Sequence, residues 1–167
     1  LYSGLILILS CIYFYSGLQK FNGGFLHSVW KGLILRDFCS INSVSLYTHY
    51  SGAVLPILES LAGFGLLFVK SRRICAYMLI AMHFFILGLR STIQGFNIVL
   101  PWNIAMIFFL HYLVIKNNMQ FSIKALLKTK NFPMVILWAV MPIFSFFDCW
   151  EEKLSSNLFS GKYVNMI

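Results

Sequence analysis

Long apolar runs, separated by short polar stretches, make up most of this chain. The runs cover residues 1–18, 50–69, 74–89, 98–115 and 132–147. Backbone N–H and C=O groups inside a lipid bilayer must be satisfied within the segment itself, so apolar runs of this length are expected to be helices. The pattern predicts an all-α integral membrane bundle with four to five transmembrane helices.

The polar segment between the first two runs predicts one more helix. Residues 22–49 are too many for a turn and too polar to cross a bilayer. Apolar residues recur at helical spacing in its first half, at Phe25, Leu26, Val29, Trp30, Leu33 and Ile34. That pattern is typical of an amphipathic helix that lies in the membrane interface. We therefore expect residues 1–148 to form the helical membrane domain and residues 149–167 to form a short non-cytoplasmic tail.

Composition and charge agree with a membrane location and set its expected orientation. Hydrophobic residues make up 59% of the chain and charged residues 11%, whereas soluble domains are about 25% charged. The net charge is +8, yet the positive residues lie between the apolar runs, so nucleic-acid binding is not expected. Lys70, Arg72 and Arg73 mark one loop as cytoplasmic, and lysines after the fourth run mark another. The N-terminal end is then expected in the cytoplasm and the tail outside, as in a bacterial inner membrane.

Ionisable side chains inside the apolar runs are candidates for function, since burying one costs about 2.5–3.5 kcal/mol on insertion scales. Glu59 lies in the second run and His83 in the third. At about 1.5 Å per residue, they lie roughly 13 Å and 10 Å below the outer ends of their helices. Lys20 and Asn103 lie near the outer ends of the first and fourth helices. These four side chains are expected to line one polar pocket that opens outward.

Each of these side chains also has a purely structural interpretation. Lysines at helix ends commonly extend toward lipid headgroups, a protonated Glu59 can bond to a neighbouring helix, and a single histidine is often a satisfied core residue. A functional role requires these side chains to lie together, because burial and neighbouring charges alter how readily a lysine releases its proton. A lysine that can release its proton acts as a general base. Tyr15 and Gln19 lie on the turns next to Lys20 and are expected to contact a ligand with it.

Small residues and prolines in the runs predict how the helices pack. The second run carries Ser51, Gly52, Ala53, Ser60, Ala62, Gly63 and Gly65. Small side chains allow helices to approach closely, so this helix is expected to pack tightly against a neighbour. Pro56 and Pro142 are expected to kink their helices, because proline lacks a backbone donor and clashes with the preceding turn.

Two ordered stretches resemble a known family. Residues 13–22 read Y-F-Y-S-G-L-Q-K-F-N, which resembles the Y-F-x-A-G-x-x-K-L-[ND] motif of the vitamin K-dependent gamma-carboxylase transmembrane region. Bacterial relatives share that region, which is called the horizontally transferred transmembrane domain. Residues 58–68, then S-R-R-I at 71–74 and then His83 resemble the family's acid-x-x-A-G-F-x-L-L-F, S-R-x-I and following histidine, in that order.

The resemblance implies a membrane enzyme with a reduced quinone of the vitamin K type as its cofactor. Lys20 matches the base that takes a proton from reduced vitamin K, His83 looks like the histidine tied to epoxidation, and Glu59 matches the acid of the second helix. The family's second lysine is replaced by Gln19, and its large lumenal peptide-binding domain has no counterpart in residues 149–167. Peptide carboxylation is therefore not expected, whereas a quinone-type or lipid ligand can still arrive through the membrane.

Small four-helix membrane proteins of the DoxX type are the close rival, since they share a G-x-x-K near the end of the first helix, as at residues 17–20. On that interpretation the chain is a non-catalytic subunit of a larger complex, with membrane lipids and other membrane proteins as partners. A transporter is a third alternative, which no inverted repeat supports. The site expected for the enzyme has Lys20, Glu59 and His83 as catalytic residues, Tyr15, Gln19 and Asn103 as ligand-binding residues, and no metal, since no C-x-x-C pair is present.

Overall fold

The computed structural model describes residues 2–93, 99–117, 121–122, 126 and 132–147, and its regular structure is helical throughout that part of the chain. The α-helices are α1 (Tyr2–Gln19), α2 (Leu46–Tyr50), α3 (Val54–Gly65), α4 (Arg72–Ile93), α5 (Val99–Leu110) and α6 (Phe132–Ala139). The π-helical and 3-10 stretches are the connecting helix (Phe25–Phe38), the continuation of α5 (His111–Lys116), Ser51–Ala53 and Met141–Phe147. The predicted all-α class is confirmed, and the predicted tail at residues 149–167 lies outside the described residues.

Two of the described helices are long and apolar enough to cross a membrane. They are α1 and the Arg72–Leu89 part of α4, with mean hydropathies of 1.3 and 1.5. A shorter apolar stretch, Leu100–Lys116, covers most of α5 and its continuation. α3 has 12 residues, which is about 18 Å at 1.5 Å per residue, against about 30 Å of bilayer hydrocarbon. Of the five predicted runs, two therefore contain a helix of spanning length in the described part of the chain.

The second and fifth runs change their winding next to a proline. α6 ends at Ala139, and the chain turns at Val140 before the 3-10 stretch that contains Pro142. Pro56 lies in the first turn of α3, directly after the 3-10 stretch Ser51–Ala53. A proline in a first turn removes no hydrogen bond from its own helix. The local effect at both prolines is thus a switch between α and 3-10 winding.

The predicted helix between the first two runs is present as the connecting helix. Asn22 joins it to α1, because its Oδ1 accepts from Phe25 N at 2.8 Å and its Nδ2 donates to Gln19 O at 2.6 Å. Phe25 and Ile34 are buried, as the apolar pattern predicts. The connecting helix therefore starts next to the end of α1, where Lys20 lies.

α1 and α3 approach each other so closely that two positions have no room for a side chain. A Cβ atom added to Gly17 would lie 2.7 Å from the Pro56 carbonyl oxygen, and one added to Gly63 would lie 2.6 Å from the Phe14 backbone nitrogen. Ser10 Oγ also donates to Gly63 O at 2.7 Å. The tight packing predicted from the small residues is confirmed, and it fixes the register between α1 and α3.

Arg72, the first residue of α4, closes the other end of this helix pair. Its side chain is buried, and it donates to Leu66 O at 2.6 Å and to Leu67 O at 3.0 Å. Carbonyl groups at the end of a helix lack partners within that helix, so the guanidinium satisfies the end of α3. The sequence interpretation gave Arg72 a topological role only, and the structure adds a packing role.

Candidate functional site

Lys20 and Glu59 form a buried ion pair between the end of α1 and the middle of α3. The Lys20 ammonium donates to Glu59 Oε2 and to Ser16 Oγ, the latter at 3.1 Å. The two side chains are 10% and 5% exposed. Burial of a single charge is very costly, and an opposite charge in direct contact offsets much of that cost. The close approach of α1 and α3 is what allows two side chains on different helices to meet without an intermediary.

A hydrogen-bonded chain of three side chains lies next to the ion pair. The Tyr13 hydroxyl and His83 Nε2 are 2.6 Å apart, and His83 Nδ1 and Asn103 Oδ1 are 2.6 Å apart. An amide oxygen only accepts hydrogen bonds, so His83 Nδ1 carries the proton and Nε2 accepts from Tyr13. The chain joins α1 to α4 and α5, and all three side chains are buried.

The ion pair and the chain are neighbours along α1. Tyr13 lies three residues, about one helical turn, before Ser16, which bonds to Lys20. The sequence predicts one polar pocket lined by Lys20, Glu59, His83 and Asn103. In the structure these side chains form two adjacent groups; the ion pair lines the inner pocket, and the other two are not among the described lining of either pocket.

Two pockets meet at the ion pair. The inner pocket, about 130 Å³ in volume, lies between the end of α1, the connecting helix, α3 and α4. Apart from Lys20 and Glu59 its described wall is apolar, and the connecting helix contributes Phe25, Leu33 and Ile34. The lateral groove, about 340 Å³, lies between α3 and α4, and Glu59 is the charged residue among its described lining. The pair thus presents polar atoms to an otherwise apolar space.

Tyr15 and Gln19 lie apart from the pockets. The Tyr15 hydroxyl donates to Ala139 O at 2.5 Å, which joins α1 to α6. Gln19 is buried, and its backbone carbonyl accepts from Asn22. Neither residue is among the described side chains that line the inner pocket or the lateral groove. Their expected contacts with a ligand stay predictions, and in the structure they connect helices.

Sequence reasoning missed one polar side chain of the site, Tyr13, and it placed Ser16 on a turn next to Lys20 without assigning it a role. Ser16 precedes Lys20 by four residues, a spacing that places both on one face of a helix, so its contact with the lysine was open to prediction. Tyr13 gave no comparable signal, because its partner His83 lies on a helix far away in sequence.

Among the described residues, no three His, Cys, Asp or Glu side chains lie close enough together to hold a metal ion. Arg36 and Asp37 form a second ion pair on the connecting helix, with Arg36 Nε 2.6 Å from Asp37 Oδ1. Those side chains are 65% and 34% exposed. Exposed ion pairs contribute little to stability, so this one is a surface feature.

Comparison with protein-family models, with curated proteins and with solved structures finds no match to this chain. The resemblances to the gamma-carboxylase membrane region and to DoxX-type proteins therefore stay predictions. The case for a function rests on the geometry of the site.

Proposed function

We propose that this chain is an integral membrane protein, of the bacterial inner-membrane type, that binds a quinone-type or lipid ligand with Lys20 as the base. The observation that supports this proposal is the position of the Lys20–Glu59 pair, which is buried yet forms part of the wall of an apolar pocket. A ligand from the bilayer that carries one polar group would match such a pocket, because apolar walls hold its body and convergent polar atoms orient it.

The proposed bundle has four or five spans. α1, α4 and α5 with its continuation are three of them. Residues 46–65 form a helical stretch interrupted by one 3-10 turn, about 30 Å long at 1.5 Å per residue, and would be another. The connecting helix would lie in the interface and cover the site from the non-cytoplasmic side. The positive loop at residues 70–73 would then face the cytoplasm.

The ion pair has the groups that a base acting on a hydroxyl requires. Lys20 and Glu59 share a hydrogen bond, and transfer of its proton to the carboxylate leaves a neutral amine. The amine then takes the proton of a quinol hydroxyl: the O–H bond breaks, an N–H bond forms, and the quinol becomes an anion beside a cationic lysine. Opposite charges in a water-poor pocket stabilise that state.

His83 is the second proton-carrying group of the proposed site. Asn103 holds it in the Nδ1–H form, and the Tyr13 hydroxyl occupies Nε2. A proton that reaches Nε2 therefore has to displace the hydrogen bond from Tyr13. In the proposed reaction Tyr13 and Asn103 are positioning residues for His83.

Native mass spectrometry of the protein purified from its own membrane, with bound small molecules retained, tests the proposal. We expect a co-purifying quinone or lipid in the wild type and its loss in Lys20→Met/Glu59→Gln, which removes both charges without leaving one unpaired. Lys31→Met, at an exposed lysine of the connecting helix, is the matched control and should keep the ligand. Retention of the ligand in the double variant would show that the Lys20–Glu59 pair is not part of the binding site.

A second candidate, the non-catalytic subunit, is favoured by the hydrogen bonds themselves. The ion pair joins α1 to α3, and the chain from Tyr13 to Asn103 joins α1 to α4 and α5. Interhelical polar contacts of this kind stabilise membrane bundles without any ligand. The same mass spectra distinguish the candidates, because a subunit should appear in a fixed stoichiometry with other proteins and without a small molecule.

A further inference from the structure

The inner pocket and the lateral groove adjoin each other, because they share part of their lining. Both are lined by Leu55, Glu59, Met82 and Phe85. Leu55 and Glu59 come from α3, and Met82 and Phe85 come from α4, so the junction lies where these two helices face each other. Glu59 therefore lies where the two pockets adjoin, so that a ligand bound at its carboxylate would be next to both of them.

The two pockets have different surroundings. The inner pocket is covered by the connecting helix, whose Phe25 and Ile34 are buried. The lateral groove opens on the outer surface between α3 and α4, where Leu58, Met78 and Phe85 are each 41–43% exposed. In a membrane, that apolar opening would face the hydrocarbon of the bilayer. A hydrocarbon chain is the partner that such an opening matches.

The hydrogen-bonding capacity left on the ion pair selects a neutral headgroup. An ammonium has three donors, and Lys20 uses two of them on Ser16 and Glu59 among the described residues. The bond from Lys20 is to Oε2 of Glu59, and Glu59 lines the pocket, so Oε1 is the carboxylate oxygen that Lys20 does not use. While Lys20 and Glu59 are charged, one hydroxyl group can accept from Lys20 and donate to Glu59; once the proton has moved from Lys20 to Glu59, the same hydroxyl can donate to the neutral amine. A phosphate would instead place a second negative charge against Glu59.

The volumes divide such a ligand into a small head and a long tail. The inner pocket measures about 130 Å³, close to the cavity of about 150 Å³ that holds one benzene molecule in an engineered protein. That volume matches a single ring. The lateral groove, at about 340 Å³, has the larger share of the space and an apolar wall.

We propose that the ligand is a single-ring quinol whose hydroxyl binds the Lys20–Glu59 pair in the inner pocket, while its hydrocarbon tail lies in the lateral groove and extends into the bilayer. This inference rests on the proposed function and adds the headgroup, the redox form and the path of the tail. The reduced form is preferred, because a quinone carbonyl has no hydrogen to donate to Glu59.

Titrations in nanodiscs of a zwitterionic phospholipid, read by native mass spectrometry, test the path of the tail. The probes are a dimethylbenzoquinol with a decyl tail and trimethylbenzoquinol, in which a methyl group replaces the tail. Ala81→Trp fills the groove at an exposed position. We expect it to weaken binding of the tailed probe roughly tenfold or more, because buried methylene groups contribute strongly to affinity. Binding of trimethylbenzoquinol should stay within about twofold, since the substituted position lies outside the inner pocket.

The matched control is Leu61→Trp, at a residue of α3 that is 62% exposed and lines neither pocket. It should leave both affinities unchanged. A naphthoquinol with the same decyl tail, the oxidised tailed probe and an anionic phosphatidylglycerol should each bind more weakly than the tailed benzoquinol. Equal or tighter binding of any of them would overturn the corresponding part of the inference.

The result also separates this inference from the proposed function. If Lys20→Met/Glu59→Gln abolishes binding of the tailed probe but Ala81→Trp leaves it unchanged, the groove is not the path of the tail and the ligand site stands. If no quinol binds the wild-type protein, the inference and the quinone form of the proposed function both fail.

Discussion

Two of the polar links between α1 and its neighbours use their polar atoms in different ways. On the α3 side, tight backbone packing lets Lys20 and Glu59 meet directly. The long link, on the side of α4 and α5, runs from Tyr13 to His83 of α4 and from His83 to Asn103 of α5. The direct link lies at the wall of a pocket, whereas the long link fills the space between its helices and buries its own polar atoms. The direct link therefore has polar groups that can meet a ligand, whereas the polar atoms of the long link bond to one another.

Breaking the direct link should have the largest effect on stability. Lys20→Met leaves the Glu59 carboxylate buried without its cation, so we expect the free energy of unfolding to fall by about 3–5 kcal/mol. Lys20→Met/Glu59→Gln removes both charges and should recover most of that loss. Unfolding by SDS in mixed micelles, followed by circular dichroism, measures both variants. Equal losses in the single and double variants would show that charge pairing is not what the link contributes.

Widening the α1–α3 contact should have the second-largest effect on stability. In Gly63→Ala the new methyl group meets the Phe14 backbone, which has to move, so we expect a loss of about 1–3 kcal/mol in the same unfolding assay. Gly88→Ala in α4 is the matched control, because nothing lies within 4 Å of the added Cβ. Since alanine favours a helix over glycine, that change should be neutral or stabilising by about 0.5–1 kcal/mol. Similar losses of stability in both variants would show that close packing is not the reason for glycine at position 63.

Breaking the long link should have a smaller effect. Asn103→Leu removes the acceptor that holds His83 in the Nδ1–H form, and we expect a loss of about 1–2 kcal/mol in the unfolding assay. Nitrogen-15 NMR of labelled histidine should show one tautomer of His83 in the wild type and a mixture in Asn103→Leu. Tyr13→Phe keeps the Asn103 acceptor and should keep the Nδ1–H form. A mixed population in the wild type would contradict the assigned direction of the hydrogen bonds.

The apolar pattern predicts which parts of the chain are helical, because helices buried in apolar surroundings need apolar side chains along their length. The first run, predicted over residues 1–18, is α1 at Tyr2–Gln19. The second run, predicted over residues 50–69 as one helix, begins with the 3-10 stretch Ser51–Ala53 just before Pro56, and its α-helix is the shorter Val54–Gly65. Proline limits the helical conformations open to the residues before it. The mean hydropathy of an apolar run does not reveal such a local change.

The depth of a residue along its helix, which follows from the sequence, was enough to group most residues of the site. The neighbouring helix that each side chain faces does not follow from the sequence. Rise per residue gives the height of Glu59 and His83 in the bundle. Tyr13 and Tyr15 differ by two residues, about 200° around an α-helix, so they face different neighbours. Tyr13 reaches His83 and Tyr15 reaches α6. Choosing between them requires the positions of α4 and α6 around α1, which only long-range packing defines.

The exposed Arg36–Asp37 pair is the control for the effect of burial on an ion pair. Breaking it should have the smallest effect on stability. The Arg36 guanidinium donates to Asp37 and holds the pKa of that carboxyl below its ordinary value. Because the pKa of Asp37 is lower in the folded protein than in the unfolded chain, the pair contributes to stability at neutral pH. That contribution is lost as the pH falls through the pKa that Asp37 has in the folded protein. Arg36→Ala should therefore lower stability only slightly at neutral pH, and the difference from the wild type should vanish in acid. Unfolding measured across pH in high and low salt checks this, since salt screens exposed pairs. If Arg36→Ala at neutral pH cost as much as Lys20→Met, burial would not be what distinguishes the two ion pairs.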